Sequence, residues 1–134
     1  MQVFLSYAHE DTDLARRIGD VLEDAGLQVW DPQRDILPGE NWALRVGQAL
    51  QDSDAMVVLL TPAGVRSHSV RHELEYALGE KAYKHKLIPL VLGTPQELPD
   101  EQLPWILKHL QTVRLTPDDR EGLRRIANLL MEAA

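Results

Sequence analysis

The 134-residue sequence predicts one α/β domain, a parallel sheet doubly wound by helices. Three observations carry this. Short apolar runs without helical spacing alternate with longer one-sided stripes, about five times along the chain. The middle short runs are apolar almost throughout, as strands covered on both faces must be. The length suffices to bury one core and is too small for two.

Taken in order, the predicted strands are "VFLS" (3–6), "LQVW" (27–30), "AMVVLL" (55–60), "LIPLVL" (87–92) and "VRL" (113–115). The first helix carries Leu14, Ile18, Val21, Leu22 and Ala25 on one side. Asp11 or Thr12 can cap its start, and Gly26 suits its C-terminal stop. Trp42, Val46, Ala49 and Leu50 form a second stripe; Val70, Leu74, Ala77 and Leu78 form a third. Residues 93–104 hold three prolines and read as a loop, with a short helix following at "WILKHL". The last helix presents Leu123, Ile126, Ala127 and Leu130 after "TPDD", where Thr116 or Asp118 can cap and Pro117 suits the first turn. Ligands of such a fold sit at the carboxyl ends of the strands.

Composition excludes several classes. A net charge of −7, from 21 acidic and 14 basic residues, opposes binding to nucleic acid or an anionic membrane surface. With no cysteine there is no disulfide, thiolate metal site or cysteine nucleophile. No apolar run approaches the roughly 18 residues of a membrane span, and Met1 leads directly into a strand, so a cytoplasmic protein is expected. The eight glycines spell neither G-x-G-x-x-G nor G-x-x-x-x-G-K-[ST], which disfavours dinucleotide dehydrogenases and P-loop nucleotidases. The third strand ends "LLTP" without the aspartate of a phosphorelay receiver. His68 and His72 share a helix side, but no third ligand matches them, so no metal site is expected.

Three stretches remain. In "SYAHED" (6–11), backbone N–H groups at a helix start could meet a phosphate, while a simple cap by Asp11 is the plainer reading. In "VWDPQRDILPGENW" (29–42), a polar loop runs between two tryptophans; Trp42 fits the core by its spacing to Val46, and Trp30 fits core or site equally. "SVRHELEYAL" (69–78) places Glu73 roughly 85° from the centre of its apolar stripe and Glu75 about 115° away on the other side, at ~100° per residue. Glu73 is thus a border residue. A solvated helix face and a cleft both accommodate it.

Together, "VFLSYAHED", "LQVWDPQRDILPGENW", "DSDAMVVLLTP" and "SVRHELEYAL" followed by "LIPLVL" resemble, in the right order and over nearly the whole chain (1–134), a Toll/interleukin-1 receptor (TIR) domain of the bacterial type. The resemblance implies a flavodoxin-like five-stranded parallel sheet. It also implies one of two activities, since the family holds both NAD⁺-cleaving enzymes and self-associating signalling modules. In the cleaving members a glutamate on the helix after the third strand is essential, and "SVRHEL" selects Glu73 over Glu75. This chain carries Ser69 and Val70 where the family often has Trp or Cys-like residues, and Ala8-His9 where some members have a basic residue.

One carboxylate suffices for that chemistry. Glycosidases usually need a second carboxyl group to protonate the leaving group. Nicotinamide in NAD⁺ is already a pyridinium and leaves neutral, so the demand falls on the ribosyl cation, which a nearby carboxylate stabilises. The expected roles are Glu73 on the ribose cation, Trp30 stacking on nicotinamide or closing the pocket, Ser6, Tyr7 and His9 on the phosphate side, and Asp31 and Leu37 shaping the loop. NAD⁺ is expected as substrate, with no cofactor. The product, ADP-ribose or a cyclic form, is left open. Expected partners are further TIR domains, in head-to-tail assembly, and the chain leaves room for an upstream sensor domain or protein. The rivals are a non-catalytic TIR adaptor and a nucleoside deoxyribosyltransferase-like enzyme.

Overall fold

The computed structural model describes residues 1–83, 86–110 and 112–133. Five strands, β1 (Gln2–Ser6), β2 (Gln28–Trp30), β3 (Ala55–Leu60), β4 (Leu87–Leu92) and β5 (Val113–Leu115), form one sheet in the order β2-β1-β3-β4-β5. All pairings are parallel. This is the flavodoxin-like doubly wound order, whose switch point lies between β1 and β3.

The strands are apolar throughout because both faces are covered. In β1, Val3 and Leu5 join one cluster, which packs under α1 (Thr12–Asp24) and α5 (Arg120–Ala133). Phe4 joins the other, under α3 (Trp42–Asp52) and α4 (His68–Gly79). Every residue of β3 is buried. Burying a Leu or Val side chain is worth about 1.5–3 kcal/mol, so this alternation is the main source of stability.

Helix ends follow local chemistry, with two departures from expectation. Gly26 takes φ 109°, the left-handed conformation that ends α1. Asp11 stands at the start of α1 but makes no side-chain cap bond; its carboxylate accepts from the Thr61 hydroxyl instead. At α5, neither Thr116 nor Asp118 caps. A turn from Thr116 O to Asp119 N (3.1 Å) delays the helix, and Asp119 accepts from Gly122 N at 2.9 Å. The segment "WILKHL" forms a 3-10 turn over Trp105–His109. Among the described residues, no helix is long and apolar enough to cross a membrane.

Candidate functional site

The carboxyl ends of β1 and β3 open on a cleft of about 230 Å³ lined by Tyr7, His9, Gln33, Trp42, Arg66 and Glu73 among others. Glu73 reaches it from α4. Ser67 caps that helix through Val70 N (3.2 Å), and Val70, Leu74 and Ala77 are its buried stripe. This rotation leaves Glu73 half-buried at the border and Glu75 exposed. The angular estimate gave the same order.

Ser6 supplies the other half of the arrangement. It lies two residues beyond Phe4, therefore on the α4 side of the sheet, and is 1% exposed. Its Oγ donates to Glu73 Oε1 at 2.6 Å. Burial penalises the charged carboxylate and pushes Glu73 up to about 7, while the Ser6 hydrogen bond pulls the other way. The carboxyl group is thus held in one place and close to half-ionised near neutrality. A group so tuned in a cleft is a functional candidate.

The neighbouring loops are tied down. Tyr7 lines the cleft, and its hydroxyl donates to Asp31, which is 3% exposed. Burial first, then this bond and charge, raise the tyrosine's pKa far above its ordinary range. Asp31 also accepts from Gln33 N (3.0 Å), capping the short helix α2 (Pro32–Asp35). His9 Nδ1 lies 3.0 Å from Gln33 Nε2. On the β3 side, Thr61 Oγ1 accepts from Gly64 N at 2.9 Å. A Cβ at Gly64 would come within 2.4 Å of Leu59 O, so this turn admits only glycine undistorted.

Of the residues expected at the site, Ser6, Tyr7, His9, Asp31 and Glu73 converge; Trp30 and Leu37 do not. Trp30 is 8% exposed and stacks on Phe4 at 5.2 Å and 22°. The two are register partners of β1 and β2, so they share the face that α3 and α4 cover. Trp30 is a core residue. Trp42, expected in the core, is instead 47% exposed and lines the cleft. Leu37 is 63% exposed on the loop and outside the cleft lining. Arg66 and Ser69 also line the cleft; sequence reasoning named Ser69 only as a departure from the family pattern and did not single out Arg66. Ser69 had a signal, since it lies one turn before Glu73 on the same helix side. Arg66 sits in an aperiodic turn and had none. His68 and His72 are exposed, and among the described residues no three potential ligands gather as a metal site.

The family model described as TIR domain matches residues 3–127. The chain belongs to the TIR family. As a TIR domain it is 31% identical, over 120 residues, to the stimulator of interferon genes protein of Magallana gigas, covering 87% of this chain and 28% of that one. It is 24% identical over 86 residues to the 2' cyclic ADP-D-ribose synthase BtTIR of Bacteroides thetaiotaomicron, covering 63% of this chain and 30% of that one. This TIR domain therefore spans less than a third of these curated relatives. In structure it resembles the TIR domain of the Toll-related receptor TRR-2 of Hydra magnipapillata, with a TM-score of 0.72, 23% identity and coverage of 98% and 95%. That likeness shows the fold.

Proposed function

We propose that this TIR domain cleaves the nicotinamide–ribose bond of NAD⁺, with Glu73 as the residue that stabilises the ribosyl cation. The observation that carries the reading is Glu73 itself, half-buried, fixed by Ser6 and facing a cleft at the topological switch point. Family membership supports it, as does the cyclic ADP-ribose synthase activity for which the Bacteroides relative is named. A cyclic ADP-ribose is what remains of NAD⁺ when nicotinamide leaves and the ribose carbon is captured from within.

The chemistry balances without a second acid. The C1′–N bond breaks, and its electron pair goes to the pyridinium nitrogen, so nicotinamide leaves neutral. The positive charge moves to ribose, where the Glu73 carboxylate opposes it. Water adds at C1′ and releases a proton, giving ADP-ribose; capture by the adenosine end of the same molecule gives a cyclic product. The arriving pyridinium favours the ionised form of Glu73 and draws its pKa down from about 7. NAD⁺ is consumed as substrate, in the cytoplasm on this reading, and the reaction as drawn uses no cofactor or metal.

One observation bears on assembly. At about 230 Å³ the cleft falls below the roughly 300–1,000 Å³ of pockets that enclose drug-sized ligands. A neighbouring TIR domain in head-to-tail contact would supply the missing wall. The same shortfall favours the second reading, a non-catalytic TIR adaptor that uses this edge for protein contacts. Nicotinamide release from NAD⁺, followed across a dilution series with light scattering on the same samples, separates them. Activity per molecule should rise with concentration. A flat profile from a monomer removes the assembly step, and silence at every concentration favours the adaptor.

A further inference from the structure

The sequence assigned the phosphate side of the substrate to Ser6, Tyr7 and His9, yet the structure has already committed the side chains of the first two. The Ser6 hydroxyl donates to Glu73, and the Tyr7 hydroxyl donates to Asp31. His9 Nδ1 is next to Gln33 Nε2. An NAD⁺ molecule carries two phosphate charges, so a cleft selecting it over a bare nucleoside needs a cation. Among the described residues, the cleft lining contains one Lys or Arg, Arg66.

Arg66 is suited to that task in three ways. Its side chain is exposed, and among the described residues the ion pairs are made by Arg17, Arg34, Arg45 and Arg114, leaving Arg66 without an acidic partner. Its backbone is fixed by successive turns, Val65 N to Thr61 O at 3.0 Å, Arg66 N to Ala63 O at 3.2 Å and Ser67 N to Gly64 O at 3.1 Å. These fix the backbone from which the Arg66 side chain joins the cleft lining. Finally, a guanidinium presents paired N–H donors that match phosphate oxygens in a bidentate way, which an ammonium does not.

Building on the NAD⁺ reading, we infer that Arg66 is the diphosphate-binding residue of this cleft and sets its preference for a dinucleotide over a nucleoside. The cation comes from the turn after the third strand, on the opposite side of the switch point from the segment that follows the first. Arg66 grips the part of the substrate remote from the broken bond. Its contribution therefore falls on binding and leaves the chemical step to Glu73.

The test uses the full chain in two arms. In the kinetic arm, Arg66→Ala should raise KM for NAD⁺ at least about tenfold with kcat within roughly twofold, while nicotinamide riboside, which has the same scissile bond and no phosphate, loses nothing. Arg66→Lys should recover only part, and Arg71→Ala, an exposed arginine on α4 outside the cleft lining, should match the parent. An unchanged KM, or an equal loss on both substrates, overturns the assignment while the NAD⁺ reading stands. In the binding arm, calorimetry with ADP-ribose on Glu73→Gln protein reads the site even if no NAD⁺ is cleaved. ADP-ribose should bind, Arg66→Ala should weaken it at least about tenfold, and inorganic phosphate should bind far more weakly than ADP-ribose. ADP-ribose binding that ignores Arg66, no binding at all, or phosphate binding as tightly as ADP-ribose each overturn it. Melting curves within a degree or two of the parent confirm that the exposed substitution leaves the fold intact.

Discussion

The helices on the two faces of the sheet are buried very differently. On one face α1 buries Ala15, Ile18, Gly19, Val21 and Leu22, and α5 buries Gly122, Leu123, Ile126, Ala127 and Leu130. On the other, α4 buries Val70, Leu74 and Ala77, and α3 only Ala49. The first pair of helices is anchored for stability. The second pair lends Trp42, Val46 and Glu73 to the cleft. Beyond Ala49, α3 packs only the partly buried Val46 and Leu50 against the core. The difference teaches that core packing is thinner on the face whose helices line the cleft.

The two tryptophans offer the sharpest way to break that contrast. Trp30→Ala removes a ring stacked in the core and should cost about 3–5 kcal/mol of stability. Trp42→Ala should cost less than about 1 kcal/mol and act instead on KM for NAD⁺. Denaturant melts alongside kinetics read both. Equal destabilisation by the two changes would place α3 in the core after all.

A second test asks whether the cleft strains the fold. The pKa of Glu73, about 7 in the folded protein, is raised above its unfolded value, so its contribution to stability is complete below about pH 4.5 and is lost as pH rises through 7. Glu73→Gln carries no such cost. It should be more stable than the parent by on the order of 2 kcal/mol at pH 8, with the gap closing by pH 5. Activity runs the opposite way, since kcat/KM should climb as the carboxylate forms through pH about 7. A gap independent of pH would mean that Glu73 ionises as freely as a surface carboxylate.

The smallest effect is expected at Ser6. Its hydrogen bond lowers the pKa of Glu73 against the effect of burial. Ser6→Ala should therefore move the midpoint of the kcat/KM profile to higher pH with a limited loss of the plateau rate. A midpoint that falls or stays fixed would show that Ser6 does not hold the working form.

Much of this was legible in the sequence, for physical reasons that also explain the failures. Strands covered on both faces must be apolar throughout, so "AMVVLL" and "LIPLVL" declared themselves as β3 and β4. Glu73 showed as a border residue from its angle. Its partner Ser6 lies 67 residues earlier, and only the β1–β3 register brings the two together. Trp30 was ambiguous because its face depends on pairing with Phe4, a nonlocal fact. Trp42 kept helical spacing to Val46, yet the first turn of α3 (42–44) is exposed, and periodicity cannot tell which turns of a helix the sheet covers. The α5 cap moved by one residue because Thr116 opens a turn before the helix begins.

The account rests on one half-buried carboxylate acting where an exposed one two residues away does not, and nicotinamide release from NAD⁺ by the parent, Glu73→Gln and Glu75→Gln measures this directly. Glu73→Gln keeps the shape of the side chain and removes its charge, so the rate should fall by about 10²–10³, or roughly 3–4 kcal/mol in the barrier. Glu75→Gln should stay within about twofold of the parent, as a solvated surface change does. Loss of activity in Glu75→Gln with Glu73→Gln still active would contradict the account.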